Sequence, residues 1–493
     1  MNTTKTLLSG LTLLLLSGLI TAIATETKKT TIDNPASAIT PAINCSPSLN
    51  LVPNATDYVL PVNPDIFSRK NAGSLNAQST IIKSFRKGIE LMQALPNNDY
   101  RKWDKFIKIH GTSSASYDPI YNTGHNAHGT QFFLAWHRMY IYFFERIIIK
   151  LSQDPGFRLP YWDPVTYRYL PNYITAETYS DDGVTKTNPL KNSSRAKEFF
   201  NKDQHKFFMK SVNQALAQEN SYCSFLEQLE TQVHGQMHGV IGGSSGELGN
   251  LKISPQDPLF FMLHANIDRL WERWISRDNK YPQTNEFLNQ YFYFIDENGN
   301  TVKMKGRQVL STANQLGYKY SSPGTVTAGS RSQNNCCPSN QPSASRMILA
   351  QPQPYATQQQ KTKIDLSTAT IQDPDIIINM IRNLDNSHQV YLEVDGINVS
   401  QLPASPINVY LTRASRLHRR PRLSSYVGIL DLTPLSFQNP GTAINARVNI
   451  KQVLMALISS IADLKNLGLI LWVEDSEPFS INFSNIKLVI EEK

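Results

Sequence analysis

Six of the ten histidines in this chain fall into two groups of three. Each group ends in a similar phrase, FFLAWHRMYIYFFERI in the first and PLFFMLHANIDRLWERW in the second. Both phrases contain two phenylalanines, a short spacer, a histidine, and then arginine and aromatic residues, which is weak internal similarity. Because imidazole is a common metal ligand, two similar groups indicate two like metal ions held face to face. The groups are His110, His128 and His137, and His234, His238 and His264.

The spacing within the second group favours metal binding. His234 and His238 are four residues apart, so on a helix their rings would share one face and could chelate one ion. His264 belongs to a separate apolar helix that could pack beside them. Gly235 follows His234 where a glutamate would complete the HExxH motif, so the metalloprotease motif is excluded.

The first group is less regular, and spacing alone leaves it undecided between ligands and ordinary buried histidines. His128 lies nine residues before His137 and eighteen after His110. His125 competes as a ligand by proximity. We expect His128 to be the ligand because it keeps the better distance to the helix of His137, which leaves His125 as a loop residue near the site.

The ligand type restricts the metal. Three neutral imidazoles without a carboxylate or thiolate suit copper, zinc or iron. Because no acidic ligand compensates the charge, a metal that cycles through the +1 state is favoured. Three nitrogens also leave coordination positions open, so two facing centres could bind dioxygen between them. These arguments favour two copper ions with dioxygen as co-substrate, and zinc stays open as an alternative.

Helical elements should position these histidines. Apolar residues recur at helical spacing in four segments, one of which ends at Pro96 and another of which opens with Asp257-Pro258 as cap and first residue. The predicted helices are residues 76–98, 130–151, 221–239 and 257–276.

The pattern changes near residue 321. Residues 321–362 are rich in Ser, Gln, Asn and Pro, which predicts a linker. Beyond it, short alternating runs predict a small β-sandwich or barrel, interrupted by a helix at residues 450–463. The predicted strands are residues 390–394, 407–411, 426–430, 469–473 and 486–490.

The first residues of the chain read as an export signal. Residues 7–23 are apolar, follow Lys5 and precede Ala24, where we expect cleavage. The alternative is an uncleaved anchor, because the run approaches the ~20 residues that span a bilayer. We therefore expect a secreted or periplasmic protein that meets a membrane only through this signal.

Cysteine content and charge restrict the remaining possibilities. Four cysteines are too few for a disulfide scaffold, although one or two bridges can form in an exported protein. The formal net charge is +8, but its densest run, Arg413 to Arg422, is better explained as a solvated loop than as a nucleic-acid surface. We expect no nucleic-acid partner.

The two histidine phrases resemble the copper-binding signatures of the type 3 copper proteins, namely tyrosinases, catechol oxidases and haemocyanin domains. HNAHGTQFFLAWHRMYIYFFERII resembles the first signature and DPLFFMLHANIDRLWERW the second, with all six ligand positions filled. RKGIELMQALPNNDYRKWDKFIKIHG is similar to the segment that enters the first copper site of plant polyphenol oxidases. Residues 283–320 resemble the domain that follows their catalytic core, and the C-terminal region resembles their final domain more loosely.

The resemblance implies a multidomain protein. A mainly α-helical catalytic core would hold a dicopper site in a four-helix bundle, and a C-terminal β-sandwich-like domain would follow. His110, His128 and His137 would bind one copper, and His234, His238 and His264 the other. The implied parts are a signal peptide (1–24), an N-terminal arm (25–60), the core (61–282), a middle segment (283–320), a linker (321–362) and a C-terminal shielding domain (363–493).

The implied reaction is oxidation of o-diphenols (catechols) to o-quinones by dioxygen. The expected substrate is therefore a phenolic small molecule. In the family that the chain resembles, the C-terminal domain covers the active site, so an activating protease that cuts the linker is an expected partner. Vicinal Cys336 and Cys337 lie in that linker without an assigned role.

Several positions depart from the family pattern or bear on activity. Gly111 and Asn126 occupy positions where relatives carry a cysteine that cross-links to the second ligand, so no thioether is available and His128 should be freer. Glu230 matches a glutamate that orients a water near the second copper. Gly235 replaces an asparagine that helps to deprotonate monophenols, which argues against their hydroxylation. Leu251 matches the gate residue, and its modest size leaves phenol access open, so ortho-hydroxylation of monophenols stays an alternative.

Two other functional classes compete with the oxidase. A haemocyanin-like oxygen-binding protein would use the same ligands and shield them from phenols. A two-zinc hydrolase would need bridging carboxylates, which these motifs do not place. Asp268 and Arg269, just after His264, are expected to brace the histidine helices from behind the ligands.

Overall fold

The computed structural model describes residues 52–321 and 345–492, apart from short gaps at 113–117, 122, 125–126, 197–199, 219–220, 244–245, 251, 278–280, 352–354, 358–360, 368, 372, 385–387, 402–406, 420, 431–442 and 474–479. Helices dominate up to residue 277 and strands dominate beyond residue 345. The signal segment, His125, Asn126, Leu251, Cys336 and Cys337 lie outside the described residues. None of the helices in the described part of the chain is both long enough and apolar enough to cross a membrane.

The long helices of the core follow the apolar periodicity. The segment predicted as 130–151 is helix Phe133–Ser152, and nearly every one of its residues is buried because helices pack on it from several sides. The core helices are α1 (Thr80–Ala94), α2 (Trp103–Phe106), α3 (Phe133–Ser152), α4 (Asn172–Thr175), α5 (Lys202–Leu216), α6 (Tyr222–Glu227), α7 (Gly235–Gly242), α8 (Leu259–Ile275) and α9 (Asn285–Asn289).

The segment predicted as one helix over 221–239 is divided. Between α6 and α7, residues Gln228–His234 form a π-helical turn that ends at the first histidine of the second group. A π-helical turn widens the helix and occurs frequently at functional sites. Apolar periodicity does not reveal it, because one inserted residue shifts the pattern only locally.

Helix α8 begins one residue later than its opening signals suggest. Pro258 precedes the first helical residue, Leu259, and the Asp257 carboxylate accepts a hydrogen bond from the Leu259 amide at 2.9 Å. Asp257 therefore accepts from the first amide of α8, although the N-cap position belongs to Pro258 and not to Asp257 as predicted. The same carboxylate pairs with Arg195 at 2.6 Å, which ties the start of α8 to the preceding loop region.

Two small sheets join the beginning of the core to its end. Strand β1 (Thr56–Asp57) pairs in parallel with β6 (Thr301–Lys305), which forms a hairpin with β5 (Tyr291–Ile295). Strand β2 (Phe67–Arg69) pairs in parallel with β7 (Tyr318–Tyr320). A separate surface hairpin consists of β3 (Thr178–Asp181) and β4 (Val184–Thr187).

The C-terminal region contains two sheets that share one hydrophobic cluster, which is a sandwich-like arrangement. One sheet has the order β10-β16-β13-β14, and the other β11-β8-β18-β12-β17-β9 with β15 beside β12. The strands are β8 (Ser345–Gln351), β9 (Tyr355–Thr357), β10 (Lys361–Asp365), β11 (Thr370–Ile371), β12 (His388–Gln401), β13 (Ile407–Arg413), β14 (Tyr426–Leu430), β15 (Ile444–Asn449), β16 (Leu467–Val473), β17 (Ser480–Phe483) and β18 (Asn485–Glu492).

All five strands predicted in this region are present. The predicted helix at 450–463 is two short helices, α11 (Lys451–Leu457) and α12 (Ile461–Leu464), and a further helix, α10 (Pro374–Arg382), was not predicted. The expectation of a linker over 321–362 is wrong on its C-terminal side, because β8 and β9 are strands that pair with β18 and β17. The polar composition of the whole segment hid the short apolar run of β8 at residues 347–350.

The C-terminal sheets contact the core at the helices that lead to the second histidine group. Phe207 of α5 packs edge-on against Tyr426 of β14, with ring centroids 5.0 Å apart. The Tyr391 hydroxyl of β12 donates a hydrogen bond to Glu227, at the end of α6. The C-terminal region therefore touches the helix that leads directly into the π-helical turn carrying His234.

Candidate metal centre

The first histidine group is assembled from three different elements. His110 follows the short 3₁₀ helix Ile107–Ile109, His128 lies in a turn, and His137 lies in α3. One nitrogen from each ring lies within 4.8 Å of the other two. Ring centroids are 5.1 Å apart for His110 and His128 and 4.9 Å apart for His128 and His137. We call these three residues the first half-site.

The second histidine group is equally compact. His234 ends the π-helical turn, His238 lies one turn later in α7, and His264 lies in α8. Their ligand nitrogens also lie within 4.8 Å of one another. Among the described residues, the two clusters able to hold a metal consist of histidine only. We call this group the second half-site.

The two half-sites face each other. The rings of His137 and His264 are stacked, with centroids 4.3 Å apart and planes 11° apart. His128 and His234 approach to 5.7 Å. The internal similarity of the two phrases therefore corresponds to two similar clusters around one shared space.

Backbone carbonyl groups fix the orientation of four of the six rings. Nδ1 of His137 donates to the Phe133 carbonyl at 2.8 Å, and Nδ1 of His238 donates to the Leu248 carbonyl at 2.7 Å. His128 is held in the same way by Gly124 at 2.9 Å, and His234 by Glu230 at 3.3 Å. A proton on Nδ1 leaves the lone pair on Nε2, which is the form that ligates a metal.

These Nε2 atoms are turned into the space between the clusters. Within the described residues, the buried Nε2 atoms of His137 and His234 have no hydrogen-bond partner. Nε2 of His238 lies 3.3 Å from Nε2 of His264. Because buried polar atoms are normally paired, unpaired lone pairs that converge fit a metal pair.

The electrostatics keep these rings neutral. Burial, reinforced by neighbouring imidazoles, lowers the pKa of His137, His234 and His264 well below the ordinary value. Burial also lowers the pKa of His238 to about 4. Neutral imidazole is the ligating form, so the rings need not lose a proton before a metal binds at neutral pH.

Two phenylalanines line the half-sites, and no role was predicted for them. Phe133 lies 4.8 Å from the ring of His234, and Phe260 lies 4.9 Å from that of His110. Each phenylalanine precedes the last histidine of its own phrase by four residues and packs against a ring of the other half-site. The repeated Phe-Phe pair in the sequence was the available signal.

A buried charge cluster joins the two histidine helices. Arg138, next to His137, donates to Asp268 at 2.5 Å and to Glu272 at 2.7 Å. Arg69 of β2 contacts Asp268 at 3.5 Å and Glu145 at 2.9 Å. The hydroxyl groups of Tyr318 and Tyr320 also donate to Asp268. The expectation that Asp268 braces the histidine helices is confirmed.

Arg269 has a similar function on the other side of α8. It pairs with Asp163 at 3.0 Å and donates to Asn266 at 2.9 Å. Its guanidinium also lies over the ring of Tyr161, 4.9 Å from the centroid. Arg269 therefore connects the helix that carries His264 to the segment after α3.

Comparison with known proteins now places this centre. The family model of the common central domain of tyrosinase matches residues 100–211 and 171–277, and that of the polyphenol oxidase middle domain matches residues 282–327. This part of the chain therefore carries a tyrosinase central domain followed by a polyphenol oxidase middle domain.

Individual relatives agree with this assignment. The chloroplastic polyphenol oxidase of Vitis vinifera is 30% identical over 316 residues, covering 57% of this chain and 51% of its own length. A tyrosinase of Hahella sp. is 27% identical over 288 residues, covering 48% of this chain and 59% of its own length. The chain thus spans about half the length of the curated relatives it matches first.

Solved structures show the same fold. The structure of latent apple tyrosinase superposes with a TM-score of 0.54 at 18% identity and covers 89% of this chain and 100% of its own. Latent aurone synthase gives a TM-score of 0.53 at 18% identity, covering 91% of this chain and 95% of its own. The helical core and the β-rich C-terminal region therefore form one architecture that occurs in this family.

The relatives correct one expectation. The polyphenol oxidases of Vitis vinifera, Spinacia oleracea and Prunus armeniaca are named chloroplastic, which contradicts a secreted or periplasmic location. An apolar leader after a basic residue predicts transfer across a membrane, but its residues do not specify which membrane.

The remaining predicted residues have the following positions. The Glu230 carboxylate accepts a hydrogen bond from the Gly129 amide at 2.7 Å, beside the first half-site. Gly235 begins α7 directly after His234. Leu251 and His125 lie outside the described residues. Cys223 is disulfide-bonded, and its partner also lies outside them.

The structure explains the glycine at position 111. A Cβ atom there would lie 2.9 Å from the Lys252 backbone, so a side chain does not fit without movement. His128 is nonetheless not free, because its ring is held by Gly124 and the next amide by Glu230. The expectation that the lack of a thioether leaves His128 freer than a cross-linked ligand stays a prediction.

Proposed function

We propose that this protein is a copper-dependent phenol oxidase that oxidises o-diphenols to o-quinones with dioxygen. His110, His128 and His137 would hold one copper ion, and His234, His238 and His264 the other. The observation that carries the proposal is the pair of buried, all-histidine clusters whose rings face each other at 4.3 Å. The match of residues 100–277 to the tyrosinase central domain supports copper as the metal.

The donor set supports copper over a zinc pair. Both clusters lack a carboxylate that could bridge two divalent ions. Neutral imidazole suits copper in both of its common oxidation states. When bound, the copper pair supplies a redox centre at which dioxygen accepts electrons from the phenol.

The residues of this chain contribute positioning and protection. Carbonyl groups at positions 124, 133 and 248 orient the rings so that each presents Nε2 to the metal. Phe133 and Phe260 provide an apolar lining that limits water around the half-sites. Charged groups around Asp268 keep α3 and α8 in register, so the distance between half-sites is fixed before any ligand arrives.

Catechols are the proposed substrate class. Gly235 offers no side chain beside His234 to take a proton from a monophenol, which supports diphenol oxidation over hydroxylation. Among the relatives, the Larrea tridentata protein is named as a hydroxylase of larreatricin, so hydroxylation of monophenols is a separate outcome to measure. The roles of Leu251 as a gate and of Glu230 as a residue that orients water remain predictions.

The C-terminal sheets are proposed to keep the enzyme latent. They contact α5 and the end of α6, next to the helical turn that carries His234. The similar structures of latent apple tyrosinase and latent aurone synthase each cover about nine tenths of this chain. We propose that an activating protease cuts between the core, which ends near residue 321, and β8, which begins at Ser345.

The test uses the full chain loaded with copper. Copper per chain and oxidation of 4-methylcatechol are measured before and after limited proteolysis, with 4-methylphenol as the monophenol. The proposal predicts about two coppers and catechol turnover that rises after the cut. Two coppers without turnover in either form would indicate an oxygen carrier, and a chain without copper would refute the assignment of the six histidines. His264→Ala is the matched control, since it removes one ligand from a single half-site.

A further inference from the structure

One side chain connects the two half-sites directly. Glu230 lies in the π-helical turn of the second half-site, and its Oε1 accepts a hydrogen bond from the Gly129 amide at 2.7 Å. That amide belongs to the peptide bond immediately after His128. The two residues are 101 positions apart in the sequence, so the hydrogen bond joins two elements that are not neighbours along the chain.

The same residue also supports the second half-site. The carbonyl oxygen of Glu230 lies 3.3 Å from Nδ1 of His234. Glu230 therefore contacts a histidine of one half-site through its backbone and the peptide of a histidine of the other through its side chain. A displacement of this one residue would alter both.

His128 depends on such support more than the three histidines that lie within α-helices do. His137, His238 and His264 lie within α-helices, which fix their backbone by regular hydrogen bonds. His128 lies in a turn, and Gly129 after it has a φ of 65°, a left-handed conformation that favours glycine. A turn of this kind needs an acceptor to hold its amide in place.

A covalent support for His128 from position 111 is sterically excluded. Gly111 faces the Lys252 backbone so closely that a Cβ atom would lie 2.9 Å from it. The supports that the structure does show are the Gly124 carbonyl on the ring and the Glu230 carboxylate on the following amide.

We propose that Glu230 is a positioning residue for His128, and that its hydrogen bond to the Gly129 amide sets copper affinity at the first half-site. The positioning of His128 depends on the Glu230 oxygen that accepts this hydrogen bond, and the negative charge of the carboxylate contributes less. This differs from a role in orienting water at the second half-site. It rests on the proposed copper pair, because affinity is meaningful only if the histidines hold copper.

Two conservative variants separate the bond from the charge. Glu230→Gln keeps the length and an acceptor oxygen while it removes the charge. Glu230→Asp keeps the charge but shortens the side chain by one methylene, about 1.5 Å, so it no longer reaches Gly129. Thr231→Ala, at an exposed neighbouring position whose hydroxyl contacts only the Glu227 carbonyl in the same helical segment, is the matched control.

Copper affinity is measured for the full chain by competition with a chromophoric chelator. The His264→Ala background is used, so that the first half-site alone retains three histidines. We expect Glu230→Asp to weaken copper binding roughly 10–100-fold, as loss of an outer-sphere contact usually does, and Glu230→Gln to stay within about threefold of the parent. Hydrogen exchange of the Gly129 amide in the metal-free protein should be fast in the Asp variant and slow in the Gln variant.

The opposite order, with Gln weak and Asp normal, would overturn the inference in favour of a charge effect. Equal affinity and equal Gly129 protection in all variants would also overturn it. The proposed function fails separately, and by a different result: the unsubstituted chain would then bind no copper, whatever the exchange rate of the Gly129 amide.

Discussion

Replacing Asp268 with asparagine should destabilise the core strongly. The Asp268 side chain is 3% exposed and accepts hydrogen bonds from Arg138 at 2.5 Å and from Tyr318 at 2.7 Å. Burial disfavours the charged form of Arg138, yet its pKa lies above the ordinary value because Asp268 and Glu272 attract the cation. Asparagine has nearly the same size, but it removes the charge and turns an amide donor toward other donors.

The magnitude follows from the remaining partners. Removing one member of a buried ion pair typically costs 3–5 kcal/mol, because the other charge stays buried without compensation. Glu272 and Glu145 still neutralise part of the charge on Arg138 and Arg69, so the lower end of this range applies. We expect the free energy of unfolding to fall by about 3 kcal/mol, which is roughly a 150-fold change in the unfolding equilibrium constant.

Urea unfolding of the metal-free chain, followed by tryptophan fluorescence, measures this loss. Trp271 is a suitable reporter because the Arg138 guanidinium lies 3.9 Å from its ring centroid. Asp181→Asn is the control, since Asp181 pairs with Lys186 on a surface hairpin where both side chains are more than a third exposed and screened by water. A loss below about 1 kcal/mol for Asp268→Asn would refute the view that this cluster holds the histidine helices together.

Three further predictions concern the half-sites. His264→Ala should lower the copper content measured by atomic absorption from about two ions per chain to about one, because two imidazoles remain in that half-site; retention of both ions would contradict the ligand assignment. Gly249→Ala places a Cβ atom 1.8 Å from the Gly243 carbonyl oxygen, so the loop that supports His238 must shift. Both thermal stability and copper content should therefore fall. Gly156→Ala, at an exposed turn, is the control and should change neither. Burial lowers the pKa of His137, His234 and His264 well below 6.5 and that of His238 to about 4, so the metal-free folded chain binds fewer protons than the unfolded chain. Its stability should be complete above about pH 6.5 and decline as pH falls toward 4, and urea midpoints that do not change over this interval would contradict the neutral rings.

The sequence predicts the two histidine clusters well because few other arrangements satisfy the pattern. His234 and His238 have one helical turn between them, and His137 and His264 share a flanking phrase too aromatic for a surface helix. The helical spacing of the apolar residues therefore predicts which helix faces carry these rings before any tertiary contact is known. His128 was assigned with less support, because a turn has no period to reveal it.

Other features depend on contacts that no local pattern records. The π-helical turn at Gln228–His234 adds a residue without changing the apolar period enough to be seen. The bond from Glu230 to Gly129 joins residues whose proximity follows only from the packing of the half-sites. Strand β8 contains only a short apolar run, residues 347–350, inside a polar, proline-rich segment, and β18 and β11 supply its hydrogen-bond partners on both sides.

The parallel pairing of β2 with β7 places a strand that precedes the core helices beside a strand that follows them, with Phe67 opposite Tyr318. Arg69, at the end of β2, lies over the ring of Tyr318 at 3.6 Å, so the two ends are fastened by side chains as well as by backbone. Such a core tolerates rearrangement of its chain order. Because the two strands run parallel, residue 321 and the beginning of β2 lie at opposite ends of the pair, so a connecting peptide must run back along it. With such a peptide, new termini opened at the exposed Asp182-Gly183 turn of the surface hairpin would give a circularly permuted core that retains the six histidines without the C-terminal sheets.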